Sequence, residues 1–233
     1  MGGVPDRRDP PALGGSRAEA ARARPVTDVK ICGLTREEDV ESACALGAAY
    51  VGFNFSRLSP RRVTPERARL LTASVPAGVR RVGVFVGEGY PEIREAADAA
   101  SLDVVQLHRP LSAEDLERVS LPLLAVAHAG RDSEIPADAV LDRCAGILFD
   151  ASVAGVPGGT GVPFDWSLLE GRRWPVPLFV SGGLSPDNVG ESIRRTRPDA
   201  VDVASGVESA AGVKDHGRLS RFFEAVRRAD EAR

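Results

Sequence analysis

Cys32 is a residue whose type and position could support acid–base chemistry. It ends a short apolar run and is followed by Gly33, which would leave space around the sulfur. A thiol can act as a general base when a nearby cation lowers its pKa, and Lys30 lies two residues earlier, on the same side of a strand. The alternative is a small buried apolar residue, as most free cysteines are. Cys44 and Cys144 are interpreted in that way.

Asp150 offers a carboxylate in a comparable position. It follows the apolar run 146–149, where it could be either a turn cap or an acid at the mouth of a ligand site, and its local sequence leaves both open. The loop after it, residues 151–163, is rich in glycine around Gly159. A glycine-rich loop beside a carboxylate suggests a lid that closes over a substrate.

His108 and His128, together with Asp150, could form a metal site at the ends of neighbouring strands. Such a site usually needs more ligands than these, and the first apolar run supplies none. The sequence therefore favours two partly buried, hydrogen-bonded histidines, and no metal ion is expected.

Two glycine-containing turns could bind an anion. Ser181-Gly182-Gly183 and Ser205-Gly206 each follow an apolar run in the last quarter of the chain. Glycine lets backbone N–H groups come close to an anion, and the start of a short helix adds partial positive charge. Both could be ordinary turns, since glycine is common in loops. Two such turns after successive strands nevertheless favour phosphate binding through Gly182, Gly183, Ser205 and Gly206.

These candidate residues lie at the ends of regularly spaced elements. Eight apolar or β-branched runs alternate with amphipathic segments, which predicts an α/β fold, a single-domain (β/α)8 TIM barrel. In that fold functional residues lie at the C-terminal strand ends, and phosphate binds after strands 7 and 8. An open doubly wound sheet would need G-x-G-x-x-G after the first strand, where only Gly33 is present. The runs are Val29–Cys32, Tyr50–Phe55, Arg81–Val86, Val104–His108, Leu123–His128, Gly146–Asp150, Leu178–Ser181 and Ala200–Ala204.

Several of the intervening segments carry helix-start signals. Thr35 with Glu38 predicts a capping box, and Pro65 and Pro186 each stand at a predicted first helical position. The predicted helices are Thr35–Leu46, Pro65–Ser74, Pro91–Ala100, Ala113–Val119, Pro186–Thr196 and Arg218–Arg228.

Composition argues against several functional classes. The 233 residues include 30 basic and 33 acidic side chains, for a net charge of −3, without the basic surplus of a nucleic-acid-binding protein. No apolar run approaches the length of a membrane span, so no membrane partner is expected. Three cysteines without C-x-x-C predict neither a disulfide framework nor a zinc site, and the cytoplasm is the expected location. Residues 1–26, rich in proline, glycine and arginine, are expected to be a disordered leader before the barrel domain at 27–233.

Taken together, these motifs resemble the phosphoribosylanthranilate isomerase family of tryptophan biosynthesis, over nearly all of residues 28–225. The strings that carry the resemblance are Val29-Lys30-Ile31-Cys32-Gly33-Leu34-Thr35, Gly52-Phe53-Asn54-Phe55, Ser59-Pro60-Arg61, Val105-Gln106-Leu107-His108, Leu148-Phe149-Asp150, Gly158-Gly159-Thr160-Gly161, Ser181-Gly182-Gly183-Leu184, Val201-Asp202 with Ser205-Gly206-Val207-Glu208, and Lys214-Asp215-His216.

The resemblance implies an Amadori rearrangement of a small phosphosugar substrate, without a cofactor. By position it implies that Cys32 is the general base, that Asp150 is the general acid and that Arg61 holds the anthranilate carboxylate. The acid must keep its proton near neutral pH, which burial at a closed mouth would favour. The protein is expected to be a monomer or a weak homodimer. Further substrate contacts are expected from Gln106, Gly159 and Asp202.

The chain departs from the family pattern at Arg62, where an aromatic residue is common, and at Arg109, which replaces a glycine. Other phosphosugar barrels remain alternatives. A histidine-pathway aminoaldose isomerase would be expected to have aspartate in place of Cys32, and indole-glycerol-phosphate synthase would have lysine and glutamate at strand ends. A catalytically silent barrel is disfavoured because Cys32 and Asp150 are both present.

Strand alternation makes a further prediction about the barrel interior. If Cys32 faces the mouth, Lys30 points inward, where an unpaired ammonium would be costly. Asp202, on the strand that closes the barrel against the first, also points inward. We therefore expect a Lys30–Asp202 ion pair that lowers the pKa of Cys32. The alternative is that Lys30 reaches solvent and Asp202 caps a turn.

Overall fold

The predicted barrel is confirmed by a computed structural model that describes residues 26–128, 135–150 and 165–233. Eight parallel strands, hydrogen-bonded in chain order, close into one barrel because β1 pairs with both β2 and β8. The strands are β1 (Asp28–Ile31), β2 (Tyr50–Asn54), β3 (Arg80–Phe85), β4 (Val104–Leu107), β5 (Leu123–His128), β6 (Gly146–Asp150), β7 (Leu178–Val180) and β8 (Ala200–Val203).

The described residues also form seven α-helices and two short 3₁₀ turns. The helices are α1 (Glu37–Leu46), α2 (Pro65–Thr72), α3 (Tyr90–Ala100), α4 (Ala113–Arg118), α5 (Asp138–Leu141), α6 (Val189–Thr196) and α7 (His216–Glu231). The 3₁₀ turns are Trp166–Leu168 and Ser205–Val207. None of these described helices has both the length and the apolar composition that a bilayer crossing requires.

The strands bury side chains on both faces, which gives the barrel two apolar layers. A large cluster lies between the strands and the helices, and a small one fills the barrel interior. Because side chains alternate along a strand, a residue two positions from a member of the inner layer also points into the barrel. The inner cluster consists of Val82, Val104, Leu124, Val126, Leu148, Phe179 and Ala200.

Some predicted element starts are wrong. Thr35 does not cap α1, since its hydroxyl donates to the carbonyl of Gly212 and the helix begins at Glu37. The helix predicted from Pro186 begins at Val189. The start at Pro65 is confirmed, because the Thr64 side chain accepts a hydrogen bond from the amide of Arg67.

A hairpin that the periodic pattern did not predict follows β8. Strands β9 (Glu208–Ala210) and β10 (Val213–Lys214) pair in antiparallel fashion. The buried carboxylate of Asp39 in α1 holds this hairpin, accepting from the amide of Lys214 at 3.0 Å, and lies 2.8 Å from Nε2 of His216. The hairpin is therefore fixed against the barrel mouth next to the end of β1.

Candidate active site

Strand alternation brings the candidate residues to the C-terminal mouth of the barrel. Asp150 stands two residues after Leu148 of the inner cluster, and His128 two after Val126. Cys32 directly follows β1, where its amide still donates to the carbonyl of Val203 at 2.9 Å. These side chains therefore face one common space.

The space beside the Cys32 thiol comes from Gly52 rather than from Gly33. A Cβ on Gly52, in the neighbouring strand β2, would lie 3.1 Å from the sulfur. Gly33 makes room for a different group, since a Cβ there would lie 2.4 Å from Cδ of Arg61. The predicted role of Gly33 is thus corrected, and Arg61 passes directly over the residue that follows Cys32.

The predicted ion pair beneath the mouth is confirmed. Lys30 pairs in register with Asp202 across the seam between β1 and β8, and its Nζ lies 2.8 Å from Oδ1. Ser181, after β7, donates to the other carboxylate oxygen at 3.1 Å. Burial works against the charge of Lys30, but the attraction of Asp202 outweighs it and the pKa of the ammonium is raised.

The Cys32 thiol does not have the lowered pKa that the sequence suggested. Burial raises its pKa, and the carboxylate of Asp202 acts in the same direction. Lys30, which also hydrogen-bonds the thiol, and Lys214 both lower the pKa without offsetting the burial. These influences together favour the protonated thiol.

Asp150 lies beside a histidine. Nε2 of His108 is 3.1 Å from Oδ2 of Asp150, and the two side chains are 22% and 14% exposed. The His108 ring also packs against that of His128, with centroids 5.2 Å apart. Both histidines are partly exposed and hydrogen-bonded or in ring contact, and no cluster of three metal-ligating side chains occurs in the described ranges.

Arg61 and Arg62 point in different directions. Arg61 is largely buried, and its Nε and Nη2 donate to the carboxylate of Glu208 at 2.7 to 3.1 Å. Arg62 is exposed and joins the sheet only through a bridge to Asn54. Of the two arginines, Arg61 is the one whose guanidinium is held next to the mouth.

Gln106 is buried in β4 on the inward side. Its Oε1 has no hydrogen-bond partner among the described residues, which leaves an unused acceptor below His108. A buried carbonyl oxygen of this kind costs free energy unless a donor reaches it.

The two glycine turns are packed against each other. Gly182 and Gly183 both have positive φ, at 82° and 67°. A Cβ on Gly206 would lie 1.9 Å from the carbonyl oxygen of Leu184, so only glycine allows this contact. Within the described part of the chain, no hydrogen bond is made by the amides of Gly182, Gly183, Ser205 and Gly206. These donors form a cradle suited to an anion.

Comparison with known proteins shows the family of the chain. Residues 29–225 match the family model described as N-(5'phosphoribosyl)anthranilate (PRA) isomerase. A Pseudomonas fluorescens protein named N-(5'-phosphoribosyl)anthranilate isomerase is 43% identical over 209 residues, covering 89% of this chain and 99% of the relative. The chain belongs to the phosphoribosylanthranilate isomerase family.

Solved structures of the family share the fold. The Thermotoga maritima phosphoribosyl anthranilate isomerase superimposes with a TM-score of 0.79 at 35% identity, covering 87% of this chain and 99% of that one. A phosphoribosyl anthranilate isomerase in complex with reduced 1-(o-carboxyphenylamino)-1-deoxyribulose 5-phosphate has a TM-score of 0.76 at 34% identity, with the same coverage. The expected family is confirmed, and with it an isomerase of tryptophan biosynthesis.

The family departure at Arg109 has a structural explanation. Its guanidinium turns toward α4 and donates to the fully buried carboxylate of Asp115. Asp115 also accepts from the amide and the hydroxyl of Ser112, completing a capping box. Burial opposes the charge of Asp115, but these donors outweigh it and its pKa is lowered. Arg109 is thus engaged at the start of a helix.

The sequence did not single out two buried charged residues beside the site, and one of its predicted site residues lies outside the described ranges. Glu208 and Lys214 were noted only within motifs, although both are buried beside Cys32 and Arg61. The signal that could have identified them is that charged residues recur in the segment directly after β8. The contact between His108 and Asp150 was not predicted either. Gly159 and the proposed lid lie outside the described residues.

Proposed function

We propose that the chain converts N-(5'-phosphoribosyl)anthranilate to 1-(2-carboxyphenylamino)-1-deoxyribulose 5-phosphate, with Cys32 as general base and Asp150 as general acid. The observation that supports this most directly is their shared position at the mouth. Both side chains face inward at strand ends, above the Lys30–Asp202 pair, and those ends are hydrogen-bonded to the ends of β8 and β7, which the glycine turns follow. An aldose–ketose rearrangement needs an acid and a base of this kind and no redox partner.

The acid step opens the sugar ring. Asp150 gives its proton to the furanose ring oxygen, the bond from that oxygen to C1 breaks, and the nitrogen lone pair forms a C=N bond. The product is a protonated Schiff base. Nε2 of His108, 3.1 Å from Asp150, is close enough to hold the carboxyl group in one orientation and to exchange a proton with it.

The base step moves a proton from carbon. Cys32, as thiolate, takes the proton from C2, and the C–H electron pair forms a C1=C2 bond while the C=N electrons return to nitrogen. The resulting enolamine takes a proton at C1 and loses its hydroxyl proton to give the ketone. Because burial raises the pKa of Cys32, the two ammonium groups of Lys30 and Lys214 are needed to stabilise the thiolate.

Substrate binding uses two groups of residues at the mouth. The unbonded amides of Gly182, Gly183, Ser205 and Gly206 receive the phosphate, and the guanidinium of Arg61 receives the anthranilate carboxylate. The buried acceptor of Gln106 is available to a sugar hydroxyl. Asp202 was expected to contact the substrate, but its two carboxylate oxygens bind Lys30 and Ser181, so we propose that it acts through Lys30 instead. We also propose that Gly159 contacts the substrate.

A coupled assay tests the proposed activity. The purified chain is given N-(5'-phosphoribosyl)anthranilate together with indole-glycerol-phosphate synthase, and consumption of the fluorescent substrate is followed. We expect turnover of this substrate and none of the histidine-pathway aminoaldose. Turnover of the second substrate alone, or of neither, would overturn the proposal. A cytoplasmic location and a monomeric or weakly dimeric state stay predictions, the latter to be measured by light scattering.

A further inference from the structure

Three charged side chains form a buried network beside Cys32. Glu208 lies between two cations, with its carboxylate 2.7 Å from Nη2 of Arg61 and 2.9 Å from Nζ of Lys214. The side chains of Glu208 and Lys214 are 4% and 0% exposed. Neither residue gives or takes a proton in the steps proposed above, and the effect of Lys214 on the Cys32 thiolate does not explain why Glu208 is buried between two cations, so a further reason is needed for burying these charges.

The network is fixed by the hairpin after β8. Glu208 begins β9 and Lys214 ends β10. Nζ of Lys214 also donates to the carbonyl of Cys32 at 2.7 Å and to that of Ala204 at 3.2 Å. One ammonium therefore ties together the ends of β1 and β8 and the carboxylate that holds Arg61.

The hydrogen bonds of Arg61 show which edge of its guanidinium can still bind a ligand. Glu208 occupies the Nε and Nη2 edge of the guanidinium. Nη1 has no hydrogen-bond partner among the residues that the structure describes. The aliphatic part of the Arg61 side chain is confined as well, because its Cδ packs against Gly33. The guanidinium is thus held on one edge and open on the other.

The charges of the network favour an anion at that open edge. Arg61 and Glu208 alone would form a neutral pair with little attraction for a carboxylate. Burial lowers the pKa of Lys214, whereas the attraction of Glu208 favours its charged form. With Lys214 protonated, the network has two positive charges and one negative charge. Burial opposes the charge of Glu208, but Arg61 and Lys214 outweigh it and lower its pKa, so the carboxylate stays ionised.

We infer that Glu208 and Lys214 are positioning residues: Glu208 orients Arg61 so that its Nη1 edge meets the carboxylate of the substrate, and Lys214 holds Glu208 in place and offsets its negative charge. This inference rests on the proposed function, because it assumes that Arg61 receives the anthranilate carboxylate. It assigns to the hairpin after β8 a part in selecting a carboxylate-bearing ring.

Two probes that differ only in the carboxylate test the inference. They are the reduced, stable amine form of the product and the same compound made from aniline, each measured by calorimetry. Glu208→Gln keeps the shape of the side chain and removes its charge. The lost negative charge by itself favours an anion, but we expect loss of the oriented Arg61 guanidinium to outweigh it. The variant should then bind the carboxylate probe roughly ten-fold or more weakly, the size of one charged hydrogen bond, and the aniline probe within about two-fold of the parent protein.

Matched variants separate positioning from general damage. Glu170→Gln removes the carboxylate of an exposed pair with Arg195 and should change neither affinity. Lys214→Met should weaken the carboxylate probe more than the aniline probe, with thermal unfolding recorded to report on folding. An equal loss of both probes in Glu208→Gln, or no loss of either, would overturn the inference.

Arg61→Ala shows which of the two proposals has failed if one does, because it removes the guanidinium and its charge. If this variant binds both probes as the parent does, the role of Arg61 in the proposed function is wrong. If Arg61→Ala loses the carboxylate probe selectively and Glu208→Gln does not, only the positioning role is wrong.

Discussion

Two buried ammonium groups lie close to the Cys32 thiol, yet its pKa remains raised. Burial is the largest influence, and Asp202 adds to it, whereas Lys30 and Lys214 act against both. A change in the charges around the thiol can therefore lower its pKa and release its proton. A bound substrate that brings a cationic Schiff base next to the sulfur would favour the thiolate at the step where a base is needed.

Replacement of the two proposed proton-transfer groups should affect catalysis rather than folding. Each of Cys32→Ala and Asp150→Asn is expected to lower kcat by a factor of about 10² to 10⁴, the usual contribution of one acid or base. Cys144→Ala is the matched control, because this cysteine lies between α5 and β6 away from the mouth. A near-normal kcat in either mouth variant, with far-UV circular dichroism unchanged, would contradict the assignment of that residue.

Replacing either member of the ion pair beneath the mouth should shift the pKa of Cys32, and the two replacements should shift it in opposite directions. Lys30→Met should raise the pKa of Cys32 and, by leaving Asp202 buried without its partner, destabilise the fold by about 3–5 kcal/mol. Asp202→Asn should lower the pKa of Cys32, since this carboxylate raises it. The pH dependence of iodoacetamide alkylation measures both. Shifts in the same direction, or none, would show that the pair does not control the thiol.

At the scale of elements, the contact between the two glycine turns is open to a direct test. Gly206→Ala places a methyl group against the carbonyl of Leu184 and should push the turns apart, raising KM and weakening inhibition by inorganic phosphate. Gly190→Ala in α6 is the control, because the nearest atom to its added Cβ, on Arg194, is 3.5 Å away. Unchanged phosphate inhibition in Gly206→Ala would argue that the anion binds elsewhere.

Elements whose signals are local were the ones that the sequence predicted well. The strands follow from apolar runs, and the start of α2 follows from Thr64 and Pro65. Thr35 was misassigned because a carbonyl more than a hundred residues away, that of Gly212, accepts its hydroxyl. The hairpin carrying Glu208 and Lys214 has no periodic signal, so its role depends on tertiary contacts that a single sequence does not display.

At the scale of the whole molecule, closure of the barrel is what allowed an ion pair in its interior to be predicted from the sequence. The Lys30–Asp202 pair required only strand alternation and the adjacency of the first and last strands, and both are properties of the barrel as a whole. Side-chain arrangements at the mouth, such as the edge of Arg61 that Glu208 occupies, depend on loops of individual length and shape. Those could be obtained only from the structure.

The barrel as a whole should be complete without residues 1–25. Its first described contact that ties the two ends of the chain together is made by Thr27, whose amide and hydroxyl each donate to Asp230 at 2.7 Å. A chain shortened to begin at Val26 keeps these bonds, so its kcat and Tm are expected to match those of the full chain. A chain that begins at Val29 loses them along with the first residue of β1, and we expect its Tm to fall by several degrees, about 1–3 kcal/mol for the two lost hydrogen bonds to Asp230, which keeps its pair with Arg233. Equal losses in both shortened chains would mean that residues before Val26 contribute to the stability of the barrel.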